Sequence, residues 1–242
     1  MRAKKRIGLI VPVAGDKVPV ECAQMYPDIE FTAKSLGLQS MTEEGFNAVV
    51  DRIGGVAREL APRDIDAITL IGTSLSFYCG AAFNDELVAM IRDITNLPCT
   101  SMSTAILQGL RAVGGKRLAV ATAYIDDINQ RLRRLLEGAG FDVLSLEGLS
   151  ISTSGIAWKV TDAELIDLGA KVARAAPQAD ALLVSCGGLR TLDVTVPLEN
   201  ATSLPVVSSM PAALWAGVQL VGHSGRAPGF GRLLANGARA DA

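Results

Sequence analysis

Residues 180–188, DALLVSCGG, run from an acidic residue through an apolar stretch into Ser185, Cys186 and two glycines. A thiol there is a candidate proton carrier. Its reference pKa near ~8.5 keeps it protonated at neutral pH, yet it is acidic enough to give its proton to a carbanion-like centre. Gly187 and Gly188 leave their backbone N–H groups unobstructed, and such groups stabilise developing negative charge. A second stretch, DAITLIGTS at 66–74, has the same form but places Gly72 where the first has Cys186, followed by the hydroxyls of Thr73 and Ser74. Tyr124, closing KRLAVATAY at 116–124, adds a phenol. One thiol, a side-chain-free counterpart and several neutral donors suit the delivery of a proton to one face of a carbon beside negatively charged oxygens. A cysteine more often simply packs, and hydroxyls commonly cap helices. Cys22, Cys79 and Cys99 are read as packing residues; Cys186 is set apart by ending a strand before Gly-Gly.

These residues belong to a repeat, which governs how the elements must position them. KRIGLIVPV from Lys5 matches KRLAVATAY from Lys116, DAITLIGTS matches DALLVSCGG, and TNLPCTSMSTA from Thr95 matches TSLPVVSSMPA from Thr202, in the same order. The apolar runs are short, rich in Ile, Val and Leu and not alternating, as in strands covered on both faces of a parallel sheet. The first strand is expected from Arg6 to Pro12. Thr161-Asp-Ala-Glu164 is a capping box opening a helix to about Ala175. Thr42 is expected to cap a continuous helix from Glu43 to about Leu60, and periodic stretches at 84–94, 125–137 and 212–220 predict further helices. The tail after Gly222 reads as a short helix and a frayed end. The fold class is therefore α/β: two pseudo-twofold-related units, each with a mainly parallel four-stranded sheet flanked by helices, and an active site in the cleft between them. The first unit spans 1–112, completed by 210–242, and the second 113–209. Ligands of parallel sheets collect beyond the carboxyl ends of the strands, so Gly72 and Cys186 are expected to face each other across one ligand.

Over nearly its full length the chain resembles the aspartate/glutamate/hydantoin racemase superfamily, whose members use one cysteine from each half on opposite faces of a carbon. GTSLSFYCGAAFN, ATAYIDDIN and SCGGLRTLD resemble its arylmalonate decarboxylase branch, where the first cysteine position is glycine. The resemblance implies decarboxylation of aryl- or alkenyl-malonates without a cofactor, through an enediolate that Cys186 protonates to a single enantiomer. It also implies an apolar pocket near Pro12, Leu38, Met41 and Leu75, with Gly72, Thr73, Ser74, Tyr124, Gly187 and Gly188 around the substrate. The chain departs from the branch at Val13, where a second proline is expected, at Cys79, where arginine is expected, and at Phe46 in place of a tyrosine. The alternatives are a racemase or maleate-type isomerase acting on a small carboxylate and, from another class, a non-catalytic small-carboxylate binding protein.

Composition bounds the rest. A chain of 242 residues, 49% hydrophobic and 20% charged, can bury a sizeable core, and a net charge of -2 offers no basic field for nucleic acid or an anionic membrane. No stretch approaches the roughly 20 apolar residues of a membrane span, and the basic start before a short apolar run is interrupted by Pro12. Scattered cysteines without CxxC spacing read as free thiols in a reducing cytoplasm. There is no GxSxG, no strand-following GxGxxG and no metal-ligand cluster. AVGGKRL precedes its strand, unlike a phosphate loop, and the lone histidine, His223, is expected in a solvent-exposed loop. The expectation is a monomer or small homo-oligomer acting on a small dicarboxylate, with neither cofactor nor metal.

Overall fold

The computed structural model describes residues 4–153 and 155–236. The first half carries β1 (Arg6–Val11), α1 (Val20–Met25), β2 (Glu30–Ser35), α2 (Glu43–Val50), α3 (Ile53–Leu60), β3 (Ala67–Leu70), α4 (Thr73–Phe77), α5 (Ala81–Thr95), β4 (Cys99–Ser101) and α6 (Met102–Ala112). The second carries β5 (Arg117–Thr122), α7 (Asp126–Gly138), β6 (Asp142–Gly148), α8 (Asp162–Ala175), β7 (Ala181–Ser185), α9 (Leu192–Thr202) and β8 (Val206–Ser208), and α10 (Ser209–Gln219) and α11 (Arg232–Asn236) follow. The sheets have matching orders, β2-β1-β3-β4 and β6-β5-β7-β8, and all of these strand pairings are parallel. β3 and β7 are buried along their whole length, as strands covered by helices on both faces must be.

Each sheet reverses its winding between its two central strands, β1 and β3 in one and β5 and β7 in the other. Such a switch point opens a crevice beyond the strands' carboxyl ends. The sheets are joined by the chain itself. β8 ends at Ser208, and α10 then packs on α6, β3 and β4 of the first half. A Cβ at Gly217 would lie 2.5 Å from Thr69 Oγ1, so only glycine lets α10 approach β3 so closely. A second tie crosses near the strand ends, where Ser40 forms an antiparallel bridge to Thr153 and the Met41 N–H donates to Ser152 O at 2.8 Å.

The capping box at Thr161 and Glu164 is formed in both directions, opening α8. The helix expected from Glu43 to Leu60 is instead broken at Asp51 and Arg52 into α2 and α3. Arg52 turns its guanidinium onto the Leu36 carbonyl there, and Gly54 and Gly55, poor helix formers, follow the break. His223 is half-buried rather than exposed: it meets the Tyr26 ring edge-on at 5.2 Å, its Nε2 lies 3.7 Å from Asp28, and its Nδ1 accepts from the Gly225 N–H. Cys79, expected to pack, is exposed, whereas Cys22 is buried and Cys99 partly so. The expected frayed end at 237–242 lies outside the described residues. No helix among the described residues is long and apolar enough to cross a membrane.

Candidate active site

A cavity of about 340 Å³ opens where the carboxyl ends of β1, β3, β5 and β7 converge. Pro12, Gly72, Tyr124 and Cys186 line it, following those four strands in turn. Thr73, Ser74, Leu75, Gly187, Gly188, Leu38 and Met41 complete the group, so every residue expected around the substrate lines this one space.

Cys186 directly follows β7 with φ +151°, a conformation that costs a non-glycine residue on the order of 1–3 kcal/mol. Its residue is only 5% exposed. Burial pushes the Cys186 thiol up to about 11, against the opposing pull of the Gly188 and Leu189 N–H groups and the Tyr124 phenol. The thiol is therefore neutral across the physiological range, and those three donors face the sulfur if it loses its proton. The Cys186 N–H donates to Ser209 Oγ at 3.1 Å.

Tyr124 is buried, its hydroxyl 3.4 Å from Ser185 Oγ. Burial raises its pKa, a negative charge on Cys186 would raise it further, and the hydroxyls of Ser185, Thr73 and Ser74 pull the other way. Its backbone is held from behind: Thr122 Oγ1 accepts the Tyr124 N–H at 3.1 Å and donates to Asn129 Oδ1 at 2.6 Å, while Asn129 Nδ2 donates to Tyr124 O at 3.3 Å.

Gly72 stands before α4 with φ +125°. The Thr73 and Ser74 side chains do not cap this helix. Thr73 Oγ1 donates to Ser209 Oγ at 3.0 Å and lies 2.9 Å from Met102 Sδ, while the Thr73 carbonyl accepts from Ser76 Oγ at 3.0 Å and Ser103 Oγ at 3.2 Å. The first-turn N–H groups of α4 lack intrahelical acceptors and point out of the helix end. Leu38, Met41 and Leu75 are buried and form an apolar wall with Pro12, whose carbonyl accepts the Leu38 N–H at 2.7 Å.

Sequence reasoning missed several neighbours. Val18, Val20, Ala157, Trp158, Arg190 and Met210 also line the cavity, and Ser209 supports it from behind. Val20 is 71% and Trp158 55% exposed, so the mouth carries exposed apolar side chains beside the charged Lys17, Glu21 and Arg190. Ser209 was findable, since the repeat pairs it with Met102; Trp158 has no counterpart in the repeat. Of the departures from the family pattern, Val13 lines the cavity, Phe46 is buried against Tyr78 with ring centres 5.0 Å apart, and Cys79 borders a separate groove with Arg131.

Two like parallel sheets sharing a donor-lined cavity at their carboxyl ends define a two-unit α/β enzyme with its site between the halves. A family model described as arylmalonate decarboxylase matches residues 7–234. An arylmalonate decarboxylase from Bordetella bronchiseptica is 47% identical over 229 residues, covering 94% of this chain and 95% of that protein. Among solved structures, the liganded form of an arylmalonate decarboxylase carrying a glycine-to-cysteine and a cysteine-to-serine substitution superposes with a TM-score of 0.94 at 45% identity, covering 96% of this chain and 99% of that one. A maleate isomerase from Pseudomonas putida S16, solved with maleate, shares the fold with a TM-score of 0.89 at 21% identity, covering 96% of this chain and 98% of that one. The chain belongs to the arylmalonate decarboxylase family and is a carboxy-lyase.

Proposed function

We propose that this protein decarboxylates disubstituted aryl- or alkenyl-malonates without a cofactor and returns one enantiomer of the α-substituted acid. One carboxylate accepts hydrogen bonds from the hydroxyls of Ser74 and Tyr124 and from the N–H groups of Thr73, Ser74, Gly187 and Gly188. The other lies against the apolar wall of Pro12, Leu38, Met41 and Leu75. An ionised carboxylate among hydrocarbon is poorly solvated, and leaving as carbon dioxide removes its charge. As that carbon–carbon bond breaks, its electron pair passes into the retained carboxylate, giving an enediolate with negative charge on both oxygens. Donors already aimed at those oxygens lower the barrier, each by roughly 2.7–4 kcal/mol where such groups have been removed in other enzymes. The Cys186 thiol then gives its proton to the carbon, and the thiolate regains one from solvent.

The observation that carries this reading is the asymmetry of the cavity: one neutral thiol at Cys186 and, at the matching strand end, Gly72 with no side chain. Protonation is then confined to one face, which favours a single-handed product over racemisation. Carbon dioxide release from a panel of substituted malonates, with no cofactor added and the protein metal-stripped, tests it. Release from phenylmalonate and from methylphenylmalonate is expected, the latter with one enantiomer of its 2-phenylpropionate product in excess; no release from any member overturns the reading. Rapid racemisation of a resolved α-aryl acid in heavy water would assign a two-base isomerase instead.

A further inference from the structure

We infer that Ser209 is a positioning residue, a buried hydroxyl that registers the thiol-bearing residue of one half of the site against Thr73, the first residue of the donor helix end, in the other. The inference rests on the single-thiol reading above. Ser209 opens α10, is fully buried and does not line the cavity. Its Oγ accepts from the Cys186 N–H at 3.1 Å and from Thr73 Oγ1 at 3.0 Å. Cys186 stands just past the last pairing of β7 with β5, Thr122 with Ser185, so its buried N–H needs an acceptor from elsewhere. Thr73 has one hydroxyl proton and two acceptors within reach, of which the Met102 thioether is the weaker. Ser209 therefore sets both the backbone that carries the sulfur and the rotation of the Thr73 hydroxyl.

The repeat adds an independent argument. TNLPCTSMSTA and TSLPVVSSMPA pair Met102 with Ser209, just as the strand ends pair Gly72 with Cys186. The half whose strand ends in glycine has a thioether at this place, and the half whose strand ends in cysteine has a hydroxyl. Gly72 adopts its positive φ without strain, whereas Cys186 at φ +151° needs an anchor to persist there. The location also fits, because the chain leaves the second sheet at Ser208 and enters the helix that packs on the first at Ser209.

The test compares Ser209→Ala with Ser208→Ala. Ser208 is the neighbouring buried hydroxyl, which has no hydrogen-bond partner, and serves as the control. Ser209→Ala is expected to lower kcat on methylphenylmalonate by about 100-fold with KM changed less than about threefold, as misplacement of a reacting group does. It should also lower the enantiomeric excess of the product. Partial unfolding alone would lower the rate and leave that excess intact. Ser209→Thr, which keeps the oxygen, should restore the excess, and Ser208→Ala should alter neither. Independently of turnover, iodoacetamide alkylation of Cys186, followed by peptide mass spectrometry, should accelerate in Ser209→Ala and not in Ser208→Ala. If Ser209→Ala does not fold, Ser209→Cys, close in volume but a poorer acceptor, carries the same expectations. A folded variant with unchanged enantiomeric excess and unchanged alkylation overturns the inference, as do equal changes in Ser208→Ala. If the unaltered protein releases no carbon dioxide from any malonate, the proposed function fails while the alkylation comparison still decides the role of Ser209.

Discussion

Gly72 and Cys186 hold the same uncommon kind of backbone, φ +125° and +151°, just beyond the ends of β3 and β7, and both line one cavity. The likeness of the two halves thus extends to the sign of φ at these two positions, although α4 starts directly after Gly72 and a turn follows Cys186. Of these two positions, only 186 has a side chain that can carry a proton.

Replacing Cys186 with alanine should therefore remove turnover without removing the fold. General acid catalysis by a positioned group contributes about 10²–10⁴-fold, and the rate of carbon dioxide release from phenylmalonate should fall by that order. An undiminished rate in Cys186→Ala would exclude the thiol as the proton donor.

Moving the thiol across the cavity should invert the product. A Cβ built on Gly72 meets Leu75 Cβ at 3.4 Å and Pro12 Cγ at 3.6 Å, ordinary contact distances, so the double variant Gly72→Cys, Cys186→Ala has room for its new side chain. The positive φ imposes a penalty of about 1–3 kcal/mol on a cysteine at 72, so a lower melting temperature is expected as well. Chiral chromatography of residual product from methylphenylmalonate is the measurement, and unchanged handedness would show that the two positions do not address opposite faces.

Much of this arrangement was legible in the chain because it lies at strand ends, where composition changes abruptly from apolar to Gly, Ser, Thr or Cys. DAITLIGTS and DALLVSCGG each contain such an edge, and their repetition located both halves of the cavity. The break between α2 and α3 was not legible, since both segments bury apolar residues and the periodicity carries across Asp51 and Arg52. At the break Arg52 bonds the Leu36 carbonyl, a contact distant in sequence, and the weak helix formers Gly54 and Gly55 just after it were outweighed by that periodicity. Trp158 was missed for a related reason. It sits in a single 3-10 turn, Ala157–Lys159, between β6 and α8, and only tertiary structure brings that connection, through Ser152 and Thr153, against Ser40 and Met41 at the cavity.

The pH dependence follows from the raised thiol. With Cys186 as the proposed proton donor the active form is the thiol, so kcat/KM for a fully ionised malonate should stay level through neutral pH and decline only as pH rises toward about 11. The linked stability has the same sign. Burial makes the folded chain hold this proton more tightly than the unfolded one, so its stabilising effect is complete below the unfolded thiol's pKa and is lost as pH climbs to about 11. A pH–rate profile whose alkaline limb falls near 8 would mean that another group controls protonation.

The apolar wall is as much a part of the proposed chemistry as the thiol, and Met41 lets the two be separated. Met41 is 7% exposed, lines the cavity and has its backbone N–H tied to Ser152 O, which fixes its place beside the space assigned to the departing carboxylate. Met41→Gln keeps nearly the same length and adds an amide that can donate hydrogen bonds to that carboxylate. The bound substrate would be stabilised, while the transition state, in which that charge is being lost, would gain less. The expected result is a kcat lowered by about 10-fold or more, with KM unchanged or lower and the enantiomeric excess preserved, because Cys186 is untouched. Steady-state kinetics with methylphenylmalonate decide it. A rise in KM at constant kcat would place the departing carboxylate elsewhere and leave Met41 as a contact for the aryl group.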